Sequence, residues 1–253
     1  MSALMAKIGT EAARLYYFAE SLLPHRYLFA YQKRRLYSRL SYVDVLAFLH
    51  RTYRVRRYLE IGVDTGGTLA LSRAQWNCGV DPAFSIRSPL EGNFCLVRKT
   101  SDDFFREYAG EPFDLVFVDG LHEATQVSRD LFNALRHLEP SGLIAVHDTV
   151  PFNRTVASAR RYTSIWTGDV YRALVPYIQC CEDGVLTLLA APAGLTLMKS
   201  PRAFLEVLNE PLAPSRLGYR ECMRLIGRRS HKVDGIPELQ RVLGSFYPGP
   251  RQE

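Results

Sequence analysis

Two short segments of the chain bring carboxylates and imidazoles together. The run Phe113-Asp114-Leu115-Val116-Phe117-Val118-Asp119-Gly120-Leu121-His122 is an apolar stretch that delivers Asp119 and His122 at its end. Gly142-Leu143-Ile144-Ala145-Val146-His147-Asp148-Thr149 repeats the arrangement with His147 and Asp148. Imidazole is suited to taking a proton from a hydroxyl near neutral pH. His122 is therefore the first candidate base and His147 the second, with Asp119 beside them. Plainer roles compete: histidines satisfied by structural hydrogen bonds, and Asp119 as the cap of a helix beginning near Glu123.

A third segment, Glu60-Ile61-Gly62-Val63-Asp64-Thr65-Gly66-Gly67, has the glycines of a loop between a strand and a helix. Free backbone N–H groups and the helix dipole make such loops the ligand sites of open α/β sheets. A dinucleotide fingerprint needs glycine at its second position, where this chain has Asp64, whose carboxylate repels a diphosphate. As a phosphate-binding P-loop the turn lacks its lysine, because Thr68 follows Gly67. The surplus is acidic instead. Glu60 and Asp64 flank the glycines, and Asp81 follows about twenty residues later, the usual distance to a ribose hydroxyl. The ligand expected is an adenosine that carries positive charge rather than phosphates.

In these residues the chain resembles the class I S-adenosylmethionine-dependent methyltransferases, whose E/D-x-G-x-G-x-G turn ends strand one and whose second strand ends in an acid. Asp64 stands in place of the middle glycine. One branch of that family carries D-G-x-H after strand four, H-D after strand five and a later W-T-G-D-V stretch. This chain has Asp119-Gly120-Leu121-His122, His147-Asp148 and Trp166-Thr167-Gly168-Asp169-Val170-Tyr171. The likeness spans about Tyr58 to Lys199. It implies S-adenosylmethionine as cofactor, with Gly62 and Gly66 against the methionine part and Glu60 placing it through backbone or water. Asp64 and Asp119 would line the pocket, Asp81 would hold the ribose, and Ser101-Asp102 would lie near adenine, unless they only start the helix before Phe104-Phe105. Trp166, Asp169 and Tyr171 would cover the acceptor, an aromatic beside a carboxylate suiting a sugar face, with Trp166 equally able to pack in the core. The reaction implied is methylation of a small-molecule or saccharide hydroxyl, by direct displacement. O-methyltransferases of this family hold magnesium with an aspartate after strand four and a carboxylate pair after strand five, so the resemblance also implies Asp119 and Asp148 as Mg2+ ligands, with His147 and Thr149 flanking the second carboxylate and the third ligand left open.

The elements that must position these residues follow from the pattern. Val55 to Gly62, Cys78 to Asp81, Phe94 to Val97, Phe113 to Val118 and Gly142 to Val146 are apolar runs at the pace of βα units. Thr68 to Gln75 is expected to open a helix, and Glu123 to Leu138 to form one. Val185 to Ala190 and Leu195 to Lys199 flank Ala191-Pro192-Ala193-Gly194 as a hairpin. The fold expected is a Rossmann-like, mostly parallel seven-stranded sheet with an antiparallel C-terminal hairpin. Residues 1–53 form a helical extension, 54–200 the cofactor-binding domain, and 201–253 a helical tail.

Between Lys7 and Arg57 eleven Lys or Arg face only Glu11, Glu20 and Asp44, with a dense run at Lys33-Arg34-Arg35. Such a stripe is a solvated helix face, or a contact for lipid headgroups, a second copy of the chain or nucleic acid. A nucleic-acid methyltransferase is the rival reading, but no N-P-P-Y-type segment follows strand four, and no nucleic acid is expected as partner. A cofactor-binding descendant without turnover is the other rival. Five cysteines with no C-x-x-C spacing point to reduced thiols and a cytoplasmic location. The longest apolar run, Val185 to Met198, is short for a membrane span and broken by Pro192 and Gly194.

Overall fold

The computed structural model describes residues 36–162, 166–199 and 208–250. The basic run Lys33-Arg34-Arg35 with the rest of the expected helical extension up to residue 35, and the start of the tail at Pro201, lie outside them. Ser41 starts the first described helix, α1 (Tyr42–Thr52), through a capping box: its side chain accepts from the Asp44 N–H while the Asp44 carboxylate accepts from the Ser41 N–H. Val45, Leu46 and Leu49 recur at helical spacing and are buried.

The sheet is made of β1 (Arg57–Ile61), β2 (Trp76–Val80), β3 (Phe94–Val97), β4 (Phe113–Val118), β5 (Leu138–His147), β6 (Val185–Leu188), β7 (Leu195–Lys199) and β8 (Ser230–His231). Their order is β3-β2-β1-β4-β5-β7-β6-β8. β1 to β5 pair in parallel, β7 runs antiparallel to both β5 and β6, and β8 joins β6 in parallel. The chain steps outward from β1 to β3 and returns on the other side as β4. The crevice of an open sheet therefore lies between the carboxyl ends of β1 and β4, where the Asp119 N–H donates to the Ile61 carbonyl at 2.8 Å.

Side chains of period two place a core on each face. Val116 and Val118 of β4 pack with Phe104 and Phe105 of α2 (Ser101–Glu107) and with Val127 and Leu131 of α3 (Ala124–Arg136). α4 (Tyr171–Cys180) and α5 (Tyr219–Arg228) complete that layer through Leu174 and Ile226. Leu115 and Phe117 point the other way, to α1 and to α6 (Ile236–Phe246). Each such side chain, removed from water, contributes about 1.5–3 kcal/mol.

Two local expectations change. The helix expected from Thr68 shrinks to one 3-10 turn, Leu69–Leu71. The Ser72 N–H closes on the Leu69 carbonyl and Trp76 already begins β2, so the connection is too short for an α-helix. The sheet has an eighth strand because Ser230 and His231 of the tail add to β6. Among the described residues no helix is long and apolar enough to cross a membrane.

Candidate active site

The turn after β1 is shaped by what it lacks. Gly62 has φ +90°, and a Cβ there would lie 2.1 Å from the Asp119 carbonyl oxygen, so the two strand ends touch through bare backbone. Asp64 also has positive φ, 45°, a left-handed conformation that aspartate adopts more readily than most side chains. The departure from the glycine pattern is thus accommodated by the backbone. One Asp81 oxygen accepts the N–H groups of Val63 and Asp64, both at 3.0 Å, and the other accepts from Ala83 at 2.7 Å. Asp81 therefore holds the turn itself.

Glu60 faces inward. Buried beneath the turn, it accepts from the Tyr58 hydroxyl at 2.6 Å and the Thr68 hydroxyl at 2.8 Å. Burial pushes its pKa up to about 8 in spite of these bonds.

A cavity of about 410 Å³ opens over the turn, lined by Gly62, Asp64, Asp81, Ser101, Asp119 and, from α3, Gln126 and Asp130. Ser101 donates to Asp130 at 2.6 Å, and the Gln126 amide donates to both Ser101 and Asp130, at 3.1 and 3.0 Å. Burial raises Asp130 to about 6 against the hydrogen bonds from Ser101 and Gln126. The cap of α2 is Thr100, so Ser101 is free to face this cluster. Asp102 accepts from the same Gln126 amide at 3.3 Å and also takes the Arg129 guanidinium at 3.1 and 3.2 Å.

Asp119 belongs both to the cavity and to the cluster expected from the strand ends. His147 Nδ1 lies 3.1 Å from an Asp119 oxygen, and its Nε2 lies 3.1 Å from the Pro192 carbonyl. Both neighbours only accept hydrogen bonds, so the ring carries a hydrogen on each nitrogen. Burial opposes that charge, but the carboxylates of Asp119 and Asp148 raise the pKa to about 9. Asp119 is correspondingly held well below the usual carboxylate range: burial works against this, and the His147 charge outweighs it.

His122 Nδ1 lies 3.0 Å from the Trp166 carbonyl, so that nitrogen carries hydrogen. Its Nε2 faces an Asp148 oxygen at 3.1 Å and an Asp119 oxygen at 3.7 Å. Burial lowers its pKa, yet the neighbouring Asp119 and Asp148 carboxylates produce a net rise. Asp119, His122 and Asp148 each offer one ligand atom, all within 4.8 Å of one another. Asp148 sits at φ +59°. The following loop is pinned by the Tyr37 hydroxyl on Val150 at 2.6 Å and the Tyr219 hydroxyl on Pro151 at 3.0 Å.

The W-T-G-D-V stretch serves His122. The Trp166 ring lies 5.1 Å from the imidazole. Gly168 lets the chain pass so near that a Cβ would fall 1.8 Å from the His122 carbonyl oxygen. Asp169 accepts the Ala124 N–H at 2.8 Å, so Asp169 takes the first backbone donor of α3, the role considered for Asp119. Tyr171 is buried, packed edge-on against Tyr219. Of the three residues expected over the acceptor, only Trp166 stands beside the reactive cluster.

Tyr42, Gln126, Asp130 and the Pro192 carbonyl are the site groups the sequence did not yield. Gln126 and Asp130 had a signal, since they lie four apart on one face of an amphipathic helix, Asp130 within its buried side and Gln126 at the edge. Tyr42 follows the capping serine, but nothing local marks its contact with His147.

The sequence profile of a family described as a methyltransferase domain matches residues 59–149. No curated protein matches the chain. Among solved structures the chain is similar to the O-methyltransferase TomG from Streptomyces achromogenes, involved in tomaymycin synthesis and in complex with SAM. Identity there is 17%, over 72% of this chain and 94% of that one, with TM-score 0.48. A cofactor-bound protein from MTB is 16% identical over 74% of this chain and 95% of its own, with TM-score 0.47. An O-methyltransferase from Bacillus cereus in complex with SAH is 13% identical over 72% and 95%, with TM-score 0.45.

Proposed function

We propose that the chain, whose residues 59–149 match the profile of a methyltransferase domain, moves a methyl group from S-adenosylmethionine to a hydroxyl oxygen of a small-molecule or saccharide acceptor. The observation that carries this reading is the double membership of Asp119, which lines the cavity on the glycine turn and also contacts the histidine cluster. The residues fit the cofactor. Gly62 offers a surface without side chain, and Asp64, Asp81 and Asp119 give an acidic lining suited to an ammonium and a sulfonium. Ser101, Gln126 and Asp130 supply polar groups at the other wall. When bound, the cofactor supplies a methyl group on cationic sulfur, open to in-line displacement.

The protein's part is then to hold the acceptor and remove its proton. His122 is the base, oriented by the Trp166 carbonyl; it takes the acceptor's proton from the state in which the proton of the Nε2–Asp148 contact rests on Asp148, whose carboxyl pKa burial raises, and Asp119 then stabilises the imidazolium it becomes. His147 has both nitrogens engaged and serves as a clamp on Asp119. Trp166 is the acceptor-side residue that this geometry favours.

A second reading has its own observation, the three converging donors Asp119, His122 and Asp148. They would hold a divalent cation that polarises the acceptor oxygen. The imidazole nitrogen makes Mn2+ or Zn2+ a better match than Mg2+.

Calorimetry with S-adenosylmethionine and its demethylated product tests the cofactor; no binding at about millimolar ligand would sink the reading. With an acceptor in hand, His122→Ala should lose turnover by about 100-fold or more. Activity that survives chelator excludes the metal form.

A further inference from the structure

The matched domain begins at residue 59, yet one ring from upstream lies inside the cluster. We infer that Tyr42 is a positioning residue of the reaction centre, its ring lying on the face of His147 and holding that imidazole between Asp119 and the Pro192 carbonyl. The inference rests on the methyl-transfer reading of this site. The two rings are 3.8 Å apart between centroids and inclined by 27°, a stacked contact. His147 is fixed in its plane by two hydrogen bonds, one at each nitrogen. Those bonds leave tilting out of the plane as the free motion, and a ring against the face removes it. Phe117 backs Tyr42 at 6.3 Å on the sheet side.

The placement of Tyr42 is itself fixed by the partner it serves. Its N–H donates to the Ala191 carbonyl at 3.0 Å, and the Ala191 N–H donates to the Leu40 carbonyl at 3.0 Å. The start of α1 is thereby tied to the same hairpin turn that presents the Pro192 carbonyl to His147. Ring, imidazole and carbonyl form one rigid unit. Its outer end is Asp119, the carboxylate that reaches the cavity. Loss of the ring would let His147 tilt and release its hold on Asp119, which would then lose its alignment toward His122.

The test compares the parent with Tyr42→Phe and Tyr42→Leu, with Tyr42→Met in place of the leucine variant should that one not fold. In protein labelled with 15N-histidine, the two ring N–H signals of His147, identified by their loss in His147→Gln, report the clamp directly. They should be present and slow to exchange in the parent and in Tyr42→Phe, and at least one should vanish in Tyr42→Leu. Affinity for S-adenosylhomocysteine should stay within about threefold in all variants, while turnover of a hydroxyl acceptor falls at least about tenfold in Tyr42→Leu and recovers in Tyr42→Phe. Unchanged His147 signals in Tyr42→Leu would overturn the inference. So would their loss in Tyr42→Phe, which would assign the work to the hydroxyl. A parent that does not bind S-adenosylhomocysteine would instead remove the methyl-transfer reading, and the histidine spectrum would still decide whether Tyr42 holds His147.

Discussion

The two banks of the crevice are built on opposite principles. On the β1 side the site is backbone: Gly62 runs against the Asp119 carbonyl, and Asp81 ties down the N–H groups of Val63 and Asp64. On the β4 and β5 side it is side-chain partners, with Asp119 set against the charged His147 and Asp148 against His122. The first bank tolerates no added atom at one position. The second tolerates no lost partner.

The contrast breaks first at Gly62. A methyl group 2.1 Å from a carbonyl oxygen on a backbone of φ +90° cannot be housed, so Gly62→Ala should cost on the order of 4 kcal/mol and abolish cofactor binding. Urea denaturation and calorimetry measure both; a cost below about 1 kcal/mol would mean that the bank can yield. Asp119→Ala comes next, because it leaves the His147 charge without its partner. The expected loss is about 2–3 kcal/mol, reduced by the partial exposure of Asp119. Stability equal to the parent's would show that the cluster is not a balance of charges.

The pH profile sharpens the same side. His147 is raised to about 9 from an ordinary 6.5, so its protonation stabilises the fold fully below about pH 6.5. That contribution fades as the pH climbs and is gone above about 9. Glu60, at about 8, and Asp130, at about 6, act in the same direction over lower ranges, so the difference between the parent and His147→Gln isolates the clamp. The melting temperature of the parent should fall more steeply between pH 7 and 9 than that of the variant, and parallel slopes would refute a charged His147. The smallest effect belongs to Asp64→Gly. Aspartate already accepts the left-handed turn, so restoring the glycine should change stability by less than about 1 kcal/mol and cofactor affinity by only a few-fold. A gain of about tenfold in affinity would reveal Asp64 as an obstacle.

Much of this arrangement was legible because it is local. The apolar run ending in Asp119 and the one ending in His147 and Asp148 gave two strands and their chemical ends, and parallel pairing brought them together. The glycine turn was legible from the residues it lacks. What escaped depends on contacts between distant segments. Glu60 reads as a ligand group until Tyr58 and Thr68 are seen to enclose it. Asp169 and Tyr171 share a motif with Trp166, yet one is spent on the start of α3 and the other lies in the core. The short 3-10 turn was missed because its residues suit a helix and only the nearness of β2 stops it. The histidine pair could not be divided into base and clamp until burial was known: each ring sets one nitrogen on a carbonyl and the other on a carboxylate, and His147, 8% exposed against 23% for His122, is the more enclosed.

The tie between α1 and the β6–β7 turn has a consequence for how the chain acquires its activity. Residues 42 and 191 are joined by a hydrogen bond but are far apart along the chain, and such distant pairings carry a large loop-closure entropy and form slowly. During synthesis, which proceeds from the N-terminus, the cavity over the glycine turn can be assembled from segments that end near β5, while the clamp on His147 must wait for Pro192 to emerge. Cofactor affinity and catalytic competence should therefore appear at different chain lengths.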